Sequence, residues 1–181
     1  MPSEKSHKDI LNSVKSWIEH VIIGLNFCPF AKKEVMRDSI RYAISEHATN
    51  KDALDDMLNE LSMLDKQDDV QTTLIIFCNG FANFEQYLDL VDAANHLIEQ
   101  GGYAGIYQLA TFHPDYCFTG EEHSDAANYT NRSPYPILHL LRESSLDAVL
   151  KHYPNPEDIP TNNIAKARRL GAAFFKQQLA Q

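Results

Sequence analysis

The chain lacks long apolar runs and lacks an excess of basic residues. Its longest uninterrupted apolar stretches span only a few residues, whereas a transmembrane helix needs about 20. Lys and Arg total 16 against 25 Asp and Glu, which gives a formal net charge of −9. Nucleic-acid phosphates and anionic membrane surfaces both require a dense cationic face. We therefore expect neither nucleic acid nor a membrane as a partner.

Cysteine is scarce, and no secretion signal is visible. The three cysteines, Cys28, Cys78 and Cys117, suit a reducing compartment better than a disulfide framework. The N-terminal residues are polar and contain no apolar core of a signal peptide. Together these features predict a cytoplasmic location.

The glycine-based fingerprints of several large enzyme classes are also missing. The patterns GxGxxG, GxxxxGK[ST] and GxSxG do not occur in the sequence. A dinucleotide site, a P-loop nucleotide site and a hydrolase nucleophile elbow are therefore not indicated. The sequence therefore leaves the cofactor unknown.

The 181 residues fit one domain, 1–181, with room for a substantial core. Apolar residues recur at helical spacing from Ile10 to Leu25, and Ser6 with Asp9 fits a capping box. Short apolar or alternating stretches predict strands over 40–45, 72–78, 105–112 and 136–142. Further helices are predicted after Pro29, from about Asn50, from Asn83 to Gly101, from Ser144, and as one final helix from about Asn162 to Leu179.

This alternation of strands and helices predicts an α/β fold. We expect a single-domain layered sandwich, with a mostly parallel or mixed sheet of about four strands and helices packed on it. The alternative is an α+β two-layer sandwich, which an antiparallel final strand would produce.

A long polar segment, 112–143, follows the third predicted strand and combines polar, aromatic and proline residues. Loops of this length inside a compact domain are usually functional or disordered. Ligands of open α/β sheets bind beyond the carboxyl ends of the strands. His47, Asn79 and His113 follow the three strand ends, so we expect the ligand pocket at that edge.

His113 and Asp115 are the first candidate catalytic residues. Pro114 holds His113 extended, and an imidazole titrates near neutrality, which suits a general acid or base. Asp115 would orient that imidazole. The structural alternative is a histidine that locks the turn through a backbone carbonyl, with Asp115 forming an Asx turn.

The same segment supplies the candidate ligand-binding residues Asp125, Asn128, Asn131, Arg132 and Tyr135. The planar fork of Arg suits carboxylate or phosphate, and Asn offers both a donor and an acceptor. In the alternative interpretation, these side chains satisfy the backbone of their own loop. Tyr135, held between two prolines, would then plug the core.

Cys28 is a further candidate catalytic residue. It lies near the start of a short predicted helix, and a helix N-terminus lowers the pKa of a thiol and favours the nucleophilic thiolate. The alternative is a buried apolar cysteine flanked by Phe27 and Phe30.

Metal ligands are present by type but not in a standard pattern. The segment contains His113, Cys117, His123, Asp125 and His139, yet their spacing matches neither paired CxxC nor HExxH. We assign no metal-binding residues, and a metalloprotein that uses His113 and nearby acids is a third hypothesis.

Three motifs resemble a bacterial family known as domain of unknown function 1415: LNFCPFA (25–31), FHPDY (112–116) and NYTNRSPYPILHLLRE (128–143). The similarity extends along the whole chain and implies a single-domain cytosolic protein, with no established activity, cofactor or catalytic residue. The residues that fit the family pattern are Cys28, Pro29, His113, Pro114, Asp115, Asp125, Asn128, Arg132 and His139. Cys117 and His123 depart from it.

The leading interpretation is a cytosolic enzyme that acts on a small polar or anionic molecule in a pocket built by the 112–143 segment. His113 would be the acid or base, and Asn128 and Arg132 would anchor the ligand. The alternative is a non-enzymatic binding or structural module that presents a flat surface with Tyr129 and Tyr135 outward. The sequence leaves open whether the protein is an enzyme, and it predicts no oligomeric state.

Overall fold

The computed structural model describes residues 6–180. The predicted absence of a signal peptide also concerns residues 1–5, which lie outside the described residues. In chain order the helices and strands are α1 (His7–Trp17) with a π-helical continuation (Ile18–Ile23), α2 (Ala31–Met36), β1 (Ile40–Ser45), α3 (Asn50–Lys66), β2 (Thr72–Phe77), α4 (Phe84–Gln100), β3 (Tyr107–Phe112), a 3₁₀ helix (Ala126–Thr130), β4 (Ile137–Arg142), α5 (Glu143–Leu150), a 3₁₀ turn (Pro156–Asp158), α6 (Ile159–Leu170) and α7 (Ala172–Leu179).

Side-chain caps fix the starts of the long helices. At α1 the Ser6 hydroxyl accepts from the Asp9 N–H, while the Asp9 carboxylate accepts from the Ser6 N–H, so the predicted capping box is confirmed. The Asn83 side chain accepts from the Gln86 N–H at α4 in the same way. These caps satisfy N–H groups that have no partner inside the helix.

The four strands form one mixed sheet in the order β1-β2-β4-β3. β1 and β2 are parallel, whereas β4 runs antiparallel to both of its neighbours, β2 and β3. The predicted α/β class, with a mostly parallel or mixed sheet of about four strands, is therefore confirmed. β1, β2 and β3 point the same way, but β4 separates β3 from the other two.

Helices cover both faces of the sheet, because its central strands are apolar on both sides. Every residue of β2 is buried, as expected for a strand covered on both faces. Ile75 and Phe77 face α3 and α4. Leu74 and Ile76 face the other layer, which α1, its π-helical continuation, α6 and α7 provide.

Two predicted helix boundaries are wrong. The final helix is two helices, since Gly171 takes φ = 82° and breaks the chain between α6 and α7; this left-handed region is accessible to glycine at little cost. The fifth helix begins at Glu143, directly after β4, and not at a Ser144 cap. None of the helices within residues 6–180 is long and apolar enough to cross a membrane.

Candidate ligand cavity

His113 is completely buried at the carboxyl end of β3, and the backbone engages both of its ring nitrogens. Nε2 donates to the Phe81 carbonyl oxygen at 2.8 Å. Nδ1 accepts from the Asp115 N–H at 2.9 Å. Burial lowers the pKa of His113, partly offset by the Phe81 bond and the Asp115 charge. The neutral imidazole has no nitrogen left for a substrate, so its geometry matches the turn-locking alternative.

Asp115 holds this histidine through its main chain and not through its carboxylate. The side chain is exposed, while its N–H makes the bond to Nδ1. Asp115 therefore contacts the imidazole of His113 as expected, but through its backbone N–H and not through its carboxylate.

The predicted binding residues Asn128 and Asn131 tie the segment to itself. Asn128 is fully buried; its Oδ1 accepts from the Phe118 N–H at 3.0 Å and its Nδ2 donates to the Glu122 carbonyl at 2.9 Å. Nδ2 of Asn131 donates to the Thr111 carbonyl at 3.0 Å, which fastens the loop to β3. Asn131 also lies on the wall of the cavity described below.

The Arg132 guanidinium is buried and bonds carbonyl oxygens of its own loop. Nε donates to Tyr116 at 3.0 Å and Nη2 donates to His123 at 2.8 Å. The guanidinium carbon lies 4.6 Å from the centre of the Tyr129 ring. His113 and Arg132 are therefore not brought together as two free groups in a shared pocket.

Asp125 connects the segment to α6. Its Oδ1 accepts from the Ala127 N–H at 2.8 Å and so caps the 3₁₀ helix. Its Oδ2 lies 3.0 Å from Nη2 of Arg168, which also pairs with Glu121 at 2.8 Å. Arg168 is the main reason that the pKa of Asp125 is lowered. This cluster clamps the loop onto the helix.

Tyr129 and Tyr135, the two tyrosines that a docking surface would expose, pack inward. Tyr129 is buried and stacks on Phe175 with ring centres 5.1 Å apart. Tyr135 packs against the same apolar cluster. The flat surface with both tyrosines outward, which a docking module would present, is not what this arrangement provides.

A cavity of about 310 Å³ lies on the face of the sheet that carries α1, α2 and α6. Its wall is mainly apolar, and it includes Trp17, Phe27, Leu74, Ala110 and Phe112. The 112–143 segment contributes the wall residues Phe112, Phe118, Thr130, Asn131, His139 and Leu141. Of the residues predicted for the site, Cys28 and Asn131 lie on this wall.

The α6 helix closes one side of the cavity because two of its polar side chains reach the turn before α2. Asn163 Nδ2 donates to the Phe27 carbonyl at 2.7 Å. Lys166 Nζ donates to the Leu25 carbonyl, also at 2.7 Å. Asn163 itself lies on the cavity wall, together with Ile159 and Ile164.

His139 projects from β4 into this cavity. Its Nε2 lies 2.6 Å from the Thr72 hydroxyl, which lies 2.6 Å from the Leu140 carbonyl oxygen. Burial lowers the pKa of His139 to about 4. The imidazole is therefore neutral at pH 7, which is the form that accepts or donates a hydrogen bond without charge.

Glu34 adds a carboxyl group to the same wall. Only 1% of the residue is exposed, and the Ser39 hydroxyl donates to its Oε2. Glu34 lies in the short helix α2, whose first residue, Ala31, also lines the cavity. Positions three apart share one side of a helix, which explains why both reach the cavity.

Cys28 lies just before α2, and burial raises the pKa of its thiol. The N–H groups of Phe30 and Ala31 act in the opposite direction, but burial is the larger effect. A thiol in this state is mostly protonated at neutral pH and is therefore a weak nucleophile until a neighbouring base takes its proton.

The sequence reasoning missed Glu34, Thr72 and the cavity role of His139. For Thr72 and His139 a signal is present in the sequence, because successive side chains of a strand point to opposite faces of the sheet. Thr72 precedes Leu74 and Ile76 on one face of β2, and His139 lies between Ile137 and Leu141 on the same face of the sheet. A polar residue within an apolar face is the observation that points to a site.

No group of three His, Cys, Asp or Glu side chains within residues 6–180 is arranged to hold a metal ion. The ligand types named in the 112–143 segment are dispersed. For example, Cys117 donates to the Glu121 carbonyl, and the His113 imidazole is bound to the backbone.

Fold and cavity together define an α/β protein with a mainly apolar cavity on one face of a mixed sheet. The chain belongs to the family described as protein of unknown function (DUF1415), whose model matches residues 9–177. This match confirms the family that the sequence resembles. Neither the curated proteins nor the solved structures gave a match to the chain.

Proposed function

We propose that this protein binds a small, mainly apolar molecule in the cavity between the sheet and the helices α1, α2 and α6. The supporting observation is the cavity itself, with a volume of about 310 Å³. Small-molecule sites are usually mainly apolar hollows of about 300–1,000 Å³ with a few polar groups. Glu34, Thr72 and His139 supply those polar groups here.

This ligand differs from the polar or anionic molecule that the sequence suggested. Arg132 and Asn128, the predicted anchors, are engaged by their own loop. The described wall residues include neither Lys nor Arg, so the cavity offers no cation to hold a carboxylate or phosphate.

The enzymatic version of this proposal assigns the nucleophile to Cys28, the predicted catalytic residue that lines the cavity. His139 is a neutral imidazole on the same wall, but its pKa of about 4 makes it too weak a base to hold the thiol proton. This version therefore requires that a group of the substrate take that proton. The non-enzymatic version needs only the cavity. Turnover of a bound compound that stops in a Cys28→Ser variant, while binding persists, would separate the two.

A thermal-shift screen of small apolar compounds tests the binding proposal. Ala110 lies on the cavity wall and pairs with His139 across β3 and β4, so an Ala110→Leu variant fills the cavity from a rigid strand. A ligand at 100 times its Kd should raise the melting temperature of the natural protein by roughly 5–10 °C. The same ligand should have little effect on the filled variant.

The matched control is Ala173→Leu, because Ala173 is exposed on α7 and the substitution adds the same atoms outside the cavity. It should respond to the ligand like the natural protein. An unliganded melting curve shows that each variant is folded. Equal ligand shifts in the Ala110→Leu variant and the natural protein would refute binding in this cavity.

A further inference from the structure

The charges on the cavity wall restrict the class of ligand. Glu34 is an acidic wall residue, and the described wall contains no Lys or Arg. An anionic ligand would lie beside a carboxyl group without any cation to offset it. An organic cation would instead meet a partner of opposite charge.

Glu34 lacks a cationic partner within the described part of the chain. Its carboxyl group accepts from the Ser39 hydroxyl, and none of the ion pairs between described residues includes it. A buried carboxylate is costly unless a cation or several donors satisfy it. Each carboxylate oxygen can accept more than one hydrogen bond, so Glu34 has capacity for donors from a ligand.

His139 presents a second acceptor, because its tautomer follows from its neighbours. The Thr72 hydroxyl has one proton, and the Leu140 carbonyl oxygen, at 2.6 Å, can only accept it. Nε2 of His139 must therefore carry the proton that it donates to the Thr72 oxygen. Nδ1 then carries a lone pair and acts as an acceptor, and no described residue donates to it.

The sheet register brings these two acceptors to the same end of the cavity. Ser39, the partner of Glu34, directly precedes Ile40, and Ile40 pairs with Thr72 across β1 and β2. Thr72 is in turn the partner of His139. Neighbouring strands lie about 4.8 Å apart, and only β2 separates β1 from β4. Both side chains line the same cavity, so a ligand head group between them would lie beside both acceptors.

Building on the proposed function, we propose that the ligand is a small organic cation, an ammonium group on an apolar body, whose N–H groups donate to the Glu34 carboxylate and to Nδ1 of His139. The apolar body would lie against Trp17, Leu74 and Phe112. The volume is about twice the ~150 Å³ of a cavity that accommodates benzene, so one aromatic ring with a short amine arm fits.

Titration calorimetry with probes of similar size tests this assignment. The probes are phenethylamine, phenethyl alcohol, hydrocinnamate and the N-trimethylated form of phenethylamine, each titrated into the full chain. The amine should bind at least tenfold more tightly than the alcohol, since a hydrogen bond to a charged group is the stronger one. Hydrocinnamate should not bind, and the trimethylated cation, which has no N–H, should bind more weakly than the amine.

A Glu34→Gln variant isolates the charge, because the Gln oxygen still accepts from Ser39. It should lower the affinity for phenethylamine at least tenfold while changing the affinity for the alcohol less than about threefold. Glu85→Gln on α4, across the sheet and exposed, is the matched control and should change neither affinity. Melting curves show that both variants are folded.

The outcomes separate this inference from the proposed function. The inference is overturned if hydrocinnamate binds as tightly as the amine, or if Glu34→Gln leaves the affinity for the amine unchanged while the alcohol still binds. The proposed function itself fails if no apolar probe of any charge binds the natural protein, and the inference then fails with it.

Discussion

Nε2 of His113 lies 2.8 Å from the carbonyl oxygen of Phe81 and donates a hydrogen bond to it. This bond joins the end of β3 to the turn after β2, where Phe81 has φ = 61°. A bulky residue in that left-handed region is strained and persists only where the surroundings hold it. The buried imidazole therefore has a structural task, which is to fix the strained turn.

His113→Ala should lower the free energy of unfolding by about 2–4 kcal/mol, because it leaves buried backbone groups without partners and opens a cavity. Urea denaturation measures the loss. His96→Ala, at an exposed position on α4, should change stability by no more than about 0.5 kcal/mol. If His113→Ala kept full stability but lost ligand binding, the sequence-based role of His113 in the site would be supported instead.

Arg132→Lys should also destabilise the protein, by about 1–3 kcal/mol. The planar guanidinium bonds two carbonyl oxygens, those of Tyr116 and His123, and stacks over Tyr129, whereas an ammonium group cannot reproduce that geometry. Denaturant unfolding provides the measurement. Arg169→Lys on the exposed side of α6 is the control. A fully stable Arg132→Lys variant would contradict the loop-stapling role.

Stability should fall between pH 6.5 and about 4 in a way that depends on His139. Burial lowers the pKa of His139 from 6.5 to about 4, so the unfolded chain takes up this proton first as the pH falls. The stabilising contribution is complete above pH 6.5 and is lost as the pH approaches 4.

Melting temperatures across that pH range measure the effect, and His139→Leu should flatten the curve. The melting temperature of this variant should still fall somewhat as the pH is lowered, because burial also lowers the pKa of His113. Parallel curves for the variant and the natural protein would show that His139 does not titrate in this way.

Arg168→Ala should raise the pKa of Asp125. The guanidinium donates to both carboxylate oxygens of Asp125 and is the largest cause of its lowered pKa. The lowered value means that this pair stabilises the fold above the pKa of Asp125 and stops doing so as the pH falls through it. A carboxyl-carbon NMR titration reads the pKa directly. Arg169→Ala should leave the pKa of Asp125 unchanged. An unchanged pKa of Asp125 in the Arg168→Ala variant would contradict the pairing of Arg168 with Asp125.

Cys28 should react slowly with iodoacetamide in the folded protein. Burial raises the pKa of its thiol, and the reactive species is the thiolate. Mass spectrometry of the peptide that contains Cys28 should show alkylation at least about tenfold slower in the folded than in the urea-unfolded chain, as expected for a shielded thiol of raised pKa. A cavity ligand should slow it further. Faster alkylation in the folded state would instead indicate an activated nucleophile.

The local patterns predicted most of the elements because each is encoded by neighbouring residues. The capping pair Ser6 and Asp9, the apolar β2 strand and the Asn83 cap all lie where spacing and side-chain chemistry place them. Gly171 shows the limit of such patterns, since the apolar spacing continues across it and only its backbone conformation separates α6 from α7.

The 112–143 segment shows why a site is harder to predict than an element. Its length and its polar, aromatic and proline residues set it apart from an ordinary connection between strands. A sequence cannot tell whether a carbonyl of the same loop or a ligand receives a donor, because the partners of Arg132 lie 9 and 16 positions away. In this structure, carbonyl oxygens of the same loop accept the hydrogen bonds from Arg132.

What the sequence by itself determined is the class of fold, the strand and helix order and the family, because periodicity, caps and motifs are local properties of the chain. Only the tertiary structure decided where an apolar cavity remains and which polar groups face it. The insertion of β4 between β2 and β3 places His139 beside Thr72, a contact between residues 67 positions apart. The burial and tautomer of His139 and the lack of a cationic partner for Glu34 among the described residues depend on such distant neighbours. No local pattern in the sequence encodes them.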